Sequence, residues 1–180
     1  MDLLVIDCQN DFIDGSLAAA NGPQAVEKIV QFLQDHQGDL RVFYSADFHP
    51  ENHVSYKSQG GLWPRHCMAG SVGAQLSEKF QETAFTPTLK NTYYKGRDSR
   101  YEEYSAFEAR NGYDEKLKEA LEDRIYLAGI ASEYCVRETA LAFQKAGKSV
   151  VLLKDLLGYI DLEDHKKNLE DLEKQGIEIQ

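Results

Sequence analysis

The stretch Leu127-Ala128-Gly129-Ile130-Ala131-Ser132-Glu133-Tyr134-Cys135-Val136 passes from an apolar strand through a short turn to a cysteine, and the residues that follow, up to Ala146, read as a helix closed by Gly147. A strand that feeds directly into a helix is half of a parallel crossover unit. The first amides of a helix and its macrodipole favour an anion at its N-terminus, so the spacing predicts a thiolate-prone cysteine. Cys135 is therefore a candidate nucleophile. A lone thiol more often packs as a small hydrophobe, so this assignment needs partners from elsewhere in the chain.

Working outward, the same unit recurs. Leu3-Leu4-Val5-Ile6 is a continuous apolar run suited to a strand covered on both faces, and it ends at Asp7. Pro23 with Val26, Ile29, Val30 and Leu33 predicts an amphipathic helix, Arg41 to Ala46 a strand ending at Asp47, and Leu89 to Tyr94 a strand leading to Lys95-Gly96. Short helices are expected over Val72 to Phe80 and Tyr113 to Leu121, with an exposed charged loop over 97–103 between them. Beyond the cysteine helix, Ser149 to Leu153 reads as a strand ending near Asp155. Glu163 to Gln175 reads as a helix with Leu169 and Leu172 inward, and Ile177 to Ile179 as a last short strand. Strands alternating with helices predict an α/β fold, a three-layer α/β/α Rossmann-like arrangement around a mostly parallel central sheet, with residues 1–180 as one domain. Ligands in such sheets bind beyond the carboxyl ends of the strands. Asp7, Asp47, Lys95 and Cys135 all fall just past such ends, so one topological rule brings four reactive side chains to one rim.

Composition narrows the partners. A formal net charge of -10 over 180 residues argues against nucleic acid or an anionic membrane and for a small-molecule partner. No apolar run approaches the roughly 20 residues of a membrane span, and no leader-like segment precedes the first strand. Three cysteines, Cys8, Cys67 and Cys135, cannot all pair within the chain, which points to reduced thiols and a cytoplasmic location.

Residues 48 to 73 show no periodicity but hold three of the five histidines and the only tryptophan. Asp47-Phe48-His49, Asn52-His53 and Arg65-His66 place oxygen and nitrogen donors in one segment, a set without cysteine that suits one divalent ion in an open catalytic site: zinc, iron or manganese. His36 and His165 fall on predicted helices among charges and read as solvated. Asp7 and Lys95 each have ordinary readings as a turn-capping carboxylate and a solvent lysine. Beside Cys135 they have complementary tasks: the carboxylate can take the thiol proton and return it to a leaving amine, and the ammonium can favour the thiolate.

Val5-Ile6-Asp7-Cys8-Gln9-Asn10-Asp11-Phe12, Asp47-Phe48-His49-Pro50-Glu51-Asn52-His53-Val54-Ser55, Trp63-Pro64-Arg65-His66-Cys67, Lys95-Gly96 with Tyr104-Ser105-Ala106-Phe107, and the stretch around Cys135 resemble, in this order, the motifs of the isochorismatase-like cysteine hydrolases, and within them the nicotinamidase/pyrazinamidase branch. The resemblance implies an Asp7-Lys95-Cys135 triad and metal ligation by Asp47, His49 and His66. His53 matches a histidine that is a ligand in some members and not in others. Ala131 matches the residue after a cis peptide, whose amide with that of Cys135 forms an oxyanion hole. Phe12, Trp63 and Tyr104 are the aromatic residues placed to wall a substrate ring. The implied reaction is nicotinamide plus water to nicotinate plus ammonia, in NAD salvage, with pyrazinamide as a second substrate.

Three rivals remain at this point: an amidase of the same superfamily acting on an N-carbamoyl or ureido compound, a non-catalytic small-molecule sensor, and a thiol redox protein using Cys135 and Cys67. The histidine cluster disfavours the first and the lack of a Cys-x-x-Cys spacing the last. The metal's identity, the kinetic preference among pyridine carboxamides, the oligomeric state (a homo-oligomer included) and the role of the 97–103 loop are not fixed by the sequence.

Overall fold

β1 (Asp2–Ile6) runs through the centre of the sheet because it has no polar face: Leu3, Leu4, Val5 and Ile6 are all fully buried in the computed structural model, which describes residues 1–180. Alternation along the strand sends Leu3 and Val5 into one apolar layer and Leu4 and Ile6 into the other. Around it lie β2 (Arg41–Asp47), β3 (Thr92–Lys95), β4 (Arg124–Gly129), β5 (Ser149–Leu157) and β6 (Glu178–Ile179), in the order β3-β2-β1-β4-β5-β6. Every pairing is parallel.

The strand order turns back at β1, and right-handed crossovers then force successive helices onto opposite faces. The chain leaves β1 through the single turn α1 (Asn10–Ile13) and returns to β2 through α2 (Gly22–Asp35), whose Val26, Ile29, Val30 and Leu33 pack with Leu3, Val5, Val42 and Tyr44. After β3 comes a second single turn, α3 (Leu117–Ala120). α4 (Arg137–Lys145) and α5 (Leu162–Lys174) cover the other face, where Ala140, Phe143 and Leu172 meet Leu4, Ile6, Ile125 and Leu152. The result is the expected helix, sheet, helix layering, with the switch in strand order between β1 and β4. Gly129 is required at that seam: its φ is +118°, and a Cβ there would lie 2.1 Å from the Ile6 carbonyl oxygen.

Of two predicted short helices, one does not form and the other is cut to a single turn. Over residues 72–77 the backbone is spent on distant partners: Asn10 and Asp11 donate to Gln75 O and Gly73 O, and Ser77 donates to Cys8 O. A 3-10 turn, Glu78–Glu82, follows. The segment after Tyr113 yields only α3, because the Asn111 side chain accepts from the Tyr113 and Glu115 amides and holds the chain in a loop. β5 runs past the expected Leu153 to Leu157, crossing a register shift against β4 so that Leu157 pairs with Gly129. All three cysteines are free, and no helix is long and apolar enough to cross a membrane.

Candidate active site

Four strand ends converge on Lys95. It is the last residue of β3, is 1% exposed, and its Nζ lies 2.8 Å from Asp7 Oδ2, 2.5 Å from Asp47 Oδ1 and 3.5 Å from Cys135 Sγ. Asp7 follows β1 with φ +48°, and Ser45 Oγ on β2 donates to its Oδ1 at 2.6 Å. A buried ammonium is costly by itself, but Asp47, Asp7 and the Cys135 sulfur more than offset that cost, so the Lys95 pKa rises well above its ordinary value. Burial, with the Asp47 charge adding to it, pushes Asp7 up against the pull of Lys95. A carboxylate so placed is suited to accept and return a proton.

Cys135 does not open a regular helix. It sits in one wide π-type turn, Ser132–Val136, that precedes α4, and the dominant influence on its thiol is burial, which raises the pKa well above normal; Lys95 is the counterweight. The regular helix start predicted from the spacing is thereby replaced by a π-type turn that sets the thiol beside Lys95 and the Asp7 carboxylate. Asp7, Asp47 and Cys135 each bring a reactive atom within 4.8 Å of the others. The Ile130–Ala131 peptide is cis, and the Ala131 N–H makes no hydrogen bond within the protein.

Asp47, His49 and His66, all buried, also bring donor atoms within 4.8 Å of one another. Each histidine is anchored from behind. His49 Nδ1 contacts Gly96 O at 2.8 Å, His53 Nδ1 contacts Ser55 Oγ at 2.7 Å and His66 Nδ1 contacts Pro64 O at 2.7 Å, which leaves every Nε2 as the inward atom. The Nε2 atoms of His49 and His53 are buried without a partner. Orphaned inward nitrogens whose ring backs are held are the arrangement a metal ion requires, so the residues present fit a divalent cation. Burial lowers the pKa of His66, and that of His53 to about 4, which favours the neutral ring a ligand must be, whereas at His49 burial is outweighed by the nearby Asp47 carboxylate and the Gly96 carbonyl, and the pKa rises. Burial would raise Asp47, but Lys95 and His49 pull it far below the usual carboxylate range. His53 groups with His49 and with Glu102 rather than with Asp47 and His66. Gly96 is constrained here: with φ +62°, a Cβ would sit 2.4 Å from the His49 ring.

A narrow pocket opens between these two clusters. The expected Phe12, Trp63 and Tyr104 all line it, beside Ala131, Cys135, Asp47 and His66. Trp63 Nε1 donates to Tyr104 Oη at 3.0 Å, which fixes both rings. Tyr134, which the sequence reading passed over although it precedes the cysteine, stands edge-on to Trp63 at 5.1 Å; Leu17, Ile160 and Glu102 complete the wall. The largest surface cavity, lined by Phe48, Gln75, Leu89 and Tyr94 among others, lies away from this chemistry.

The roles of four further residues were not foreseen. Gln9 is fully buried; its Nε2 donates to Asp47 O and Ala74 O at 2.8 Å, and its Oε1 accepts from Asp47 N at 2.8 Å, so one amide clamps the backbone of Asp47. Glu102 and Glu103 give the 97–103 loop a role: Glu102 borders the pocket, and Glu103 Oε2 accepts from Gly96 N at 2.7 Å. His36 is exposed as expected, but His165, predicted to be solvated, is 8% exposed and packed behind the Cys135 turn. No local sequence signal marks it, since its side-chain hydrogen-bond partner, Ser132, lies 33 residues away.

The chain is 30% identical to the nicotinamidase of Saccharomyces cerevisiae over 98% of this chain and 97% of that one. Among solved structures it resembles the pyrazinamidase of Pyrococcus horikoshii in complex with zinc (TM-score 0.82, 31% identity, 99% and 97% of the two chains covered). It also resembles the yeast nicotinamidase bound to the inhibitor nicotinaldehyde (TM-score 0.84, 27% identity, 99% and 98% covered). The isochorismatase domain description matches residues 2–180, and with the fold and site arranged as above, the chain belongs to the isochorismatase family.

Proposed function

We propose that this protein is a nicotinamide amidohydrolase: nicotinamide plus water gives nicotinate plus ammonia through a cysteine thioester. The observation that carries the proposal is the adjacency of two buried clusters, Asp7-Lys95-Cys135 and Asp47-His49-His66, at one narrow aromatic pocket. A planar pyridine carboxamide needs flat walls, a group that holds the ring nitrogen and a nucleophile at a fixed distance from it. Phe12, Trp63 and Tyr104 supply the walls.

In the proposed reaction Asp7 takes the Cys135 proton as sulfur attacks the carboxamide carbon. The N–H groups of Ala131 and Cys135 hold the oxyanion, and Lys95 balances the charge that passes between Asp7 and Cys135. Asp7 gives its proton to the leaving nitrogen, the C–N bond breaks and ammonia departs. Water, deprotonated by Asp7, then attacks the thioester, the C–S bond breaks to give nicotinate, and the proton returns from Asp7 to the thiolate. A divalent ion held by Asp47, His49 and His66 would supply a Lewis acid for the pyridine nitrogen. Zinc is favoured by the carboxylate and imidazole donor set and by the zinc complex of the Pyrococcus horikoshii relative; iron and manganese suit the same donors.

The reading extends to pyrazinamide, which keeps a nitrogen in the same ring position, and to a role in NAD salvage, with residues 1–180 acting as one cytoplasmic hydrolase domain. It is tested by kcat/KM for nicotinamide, pyrazinamide, benzamide and an N-carbamoyl amino acid with zinc-loaded enzyme. Nicotinamide and pyrazinamide should be turned over, and benzamide should lose most of the efficiency. Benzamide matching nicotinamide would remove the ion from the proposal, and a preferred carbamoyl substrate would overturn it.

A further inference from the structure

The turn that carries Cys135 is held from behind by α5, a contact the proposed reaction does not use. Ser132 directly follows Ala131, and every polar atom it has is engaged. Its N–H donates to Gly158 O at 2.8 Å, its carbonyl accepts from Asn168 Nδ2 at 2.8 Å, and its Oγ accepts from Asn168 Nδ2 at 3.2 Å and lies 2.7 Å from His165 Nδ1. Arg137 Nη1 donates to Asn168 Oδ1 at 2.8 Å, which fixes the direction of that amide. Both Asn168 protons are then spent on Ser132, and the serine hydroxyl proton has one acceptor, His165 Nδ1. Burial lowers the His165 pKa, so the ring is neutral and able to accept, and Tyr159 stacks on it at 4.8 Å. None of Ser132, His165 or Asn168 lines the pocket.

A π-type turn is rare, and this one takes its Ser132 side-chain and carbonyl bonds from α5, so its shape depends on outside support. Oxyanion donors need placement within a few tenths of an ångström. We propose that His165, acting through Ser132, is a positioning residue for the oxyanion hole, holding the turn in the shape that presents the Ala131 and Cys135 amides to the reacting carbonyl. The inference rests on the amide hydrolysis proposed above.

The test compares His165→Leu, which removes the acceptor, with His165→Asn, whose side-chain oxygen can stand near the Nδ1 position, and with Ser132→Ala. Nicotinamide kinetics are measured beside alkylation of Cys135 by iodoacetamide, a displacement that builds no oxyanion. H165L and S132A should lower kcat by about tenfold to a hundredfold with KM within about threefold, as expected when an oxyanion donor is displaced rather than lost. H165N should stay within about threefold of wild type, and Cys135 alkylation should be unchanged within about twofold in all three. The amide resonances of Ala131 and Cys135 should move in H165L and hold in H165N. If H165L does not fold, S132A reads the same kcat-against-KM split. Retained kcat in S132A, or in a folded H165L, an equal loss in H165N, or alkylation falling in step with kcat would overturn the inference. Unmoved amide resonances in a folded H165L would overturn it whatever the substrate is, whereas a wild-type enzyme inert toward nicotinamide would overturn the proposed reaction alone.

Discussion

Cys135 and Cys67 are both buried thiols raised by that burial, and what separates them is their neighbours. Cys135 has Lys95 Nζ at 3.5 Å and borders the pocket; Cys67 is fully enclosed with its amide tied to Asp11 Oδ2 at 2.7 Å. Cys135→Ala is therefore expected to abolish nicotinamide hydrolysis with circular dichroism and metal content unchanged, and Cys67→Ala to keep most of the rate; similar losses in both would reassign the nucleophile. Asp7→Asn should cost orders of magnitude in kcat, and the Asp7→Asn/Cys135→Ala double variant should be hardly worse than either alone, because groups acting as one unit are not additive. Stopped-time ammonia assays decide it, since multiplied losses would mean independent roles. Asp7 and Lys95 were legible from sequence because they lie at recognisable strand ends, and Cys135 because a strand and a turn lead into it. Gln9, Glu102 and His165 were not: what makes them matter is a partner on another strand, loop or helix, and no spacing along the chain encodes that.

Among the elements, those whose apolar pattern matches their burial were the readable ones. β1, α2 and α5 have continuous or periodic apolar faces, and these agree with the burial they acquire. Residues 72–77 have helical-looking spacing but give their backbone groups to residues 8–11, so tertiary pairing overrode the local pattern. The β4–turn–α4 element is the most exacting. Gly129→Ala should destabilise the protein by more than about 3 kcal/mol in urea melts, adding a positive-φ cost to a clash with the Ile6 backbone; a loss under about 1 kcal/mol would mean the strand ends can part freely. The α5 contact adds a pH signature. The folded-state pKa of His165 lies below the ordinary value near 6.5, so the unfolded chain binds the proton more readily. Its contribution to stability is present above about pH 6.5 and is lost as pH falls through the folded value. Urea midpoints measured from pH 7.5 down to 5 should fall less steeply in H165N than in wild type, and parallel slopes would show that the ring is not buried neutral.

At the scale of the whole molecule, the site is an assembly of strand ends in which Lys95 touches both an ion donor, Asp47, and the Cys135 thiol. Stripping the ion with a chelator should raise KM for nicotinamide by about tenfold or more, the loss of one strong orienting contact, while iodoacetamide alkylation of Cys135 changes by no more than about twofold. Complete protection of the thiol by zinc alone would instead make sulfur a ligand, a test given point by the approach of Asp7, Asp47 and Cys135 within 4.8 Å. The strand order also bears on how the chain comes to exist. β1 leaves the ribosome first and finds β2 soon, but its other neighbour, pairing Asp2 with Ile125 through Ile6 with Gly129, comes more than a hundred residues later. At about 5 to 20 residues per second, this fully buried strand waits roughly 6 to 25 s with one edge bare, an interval in which that edge is open to pairing with another chain.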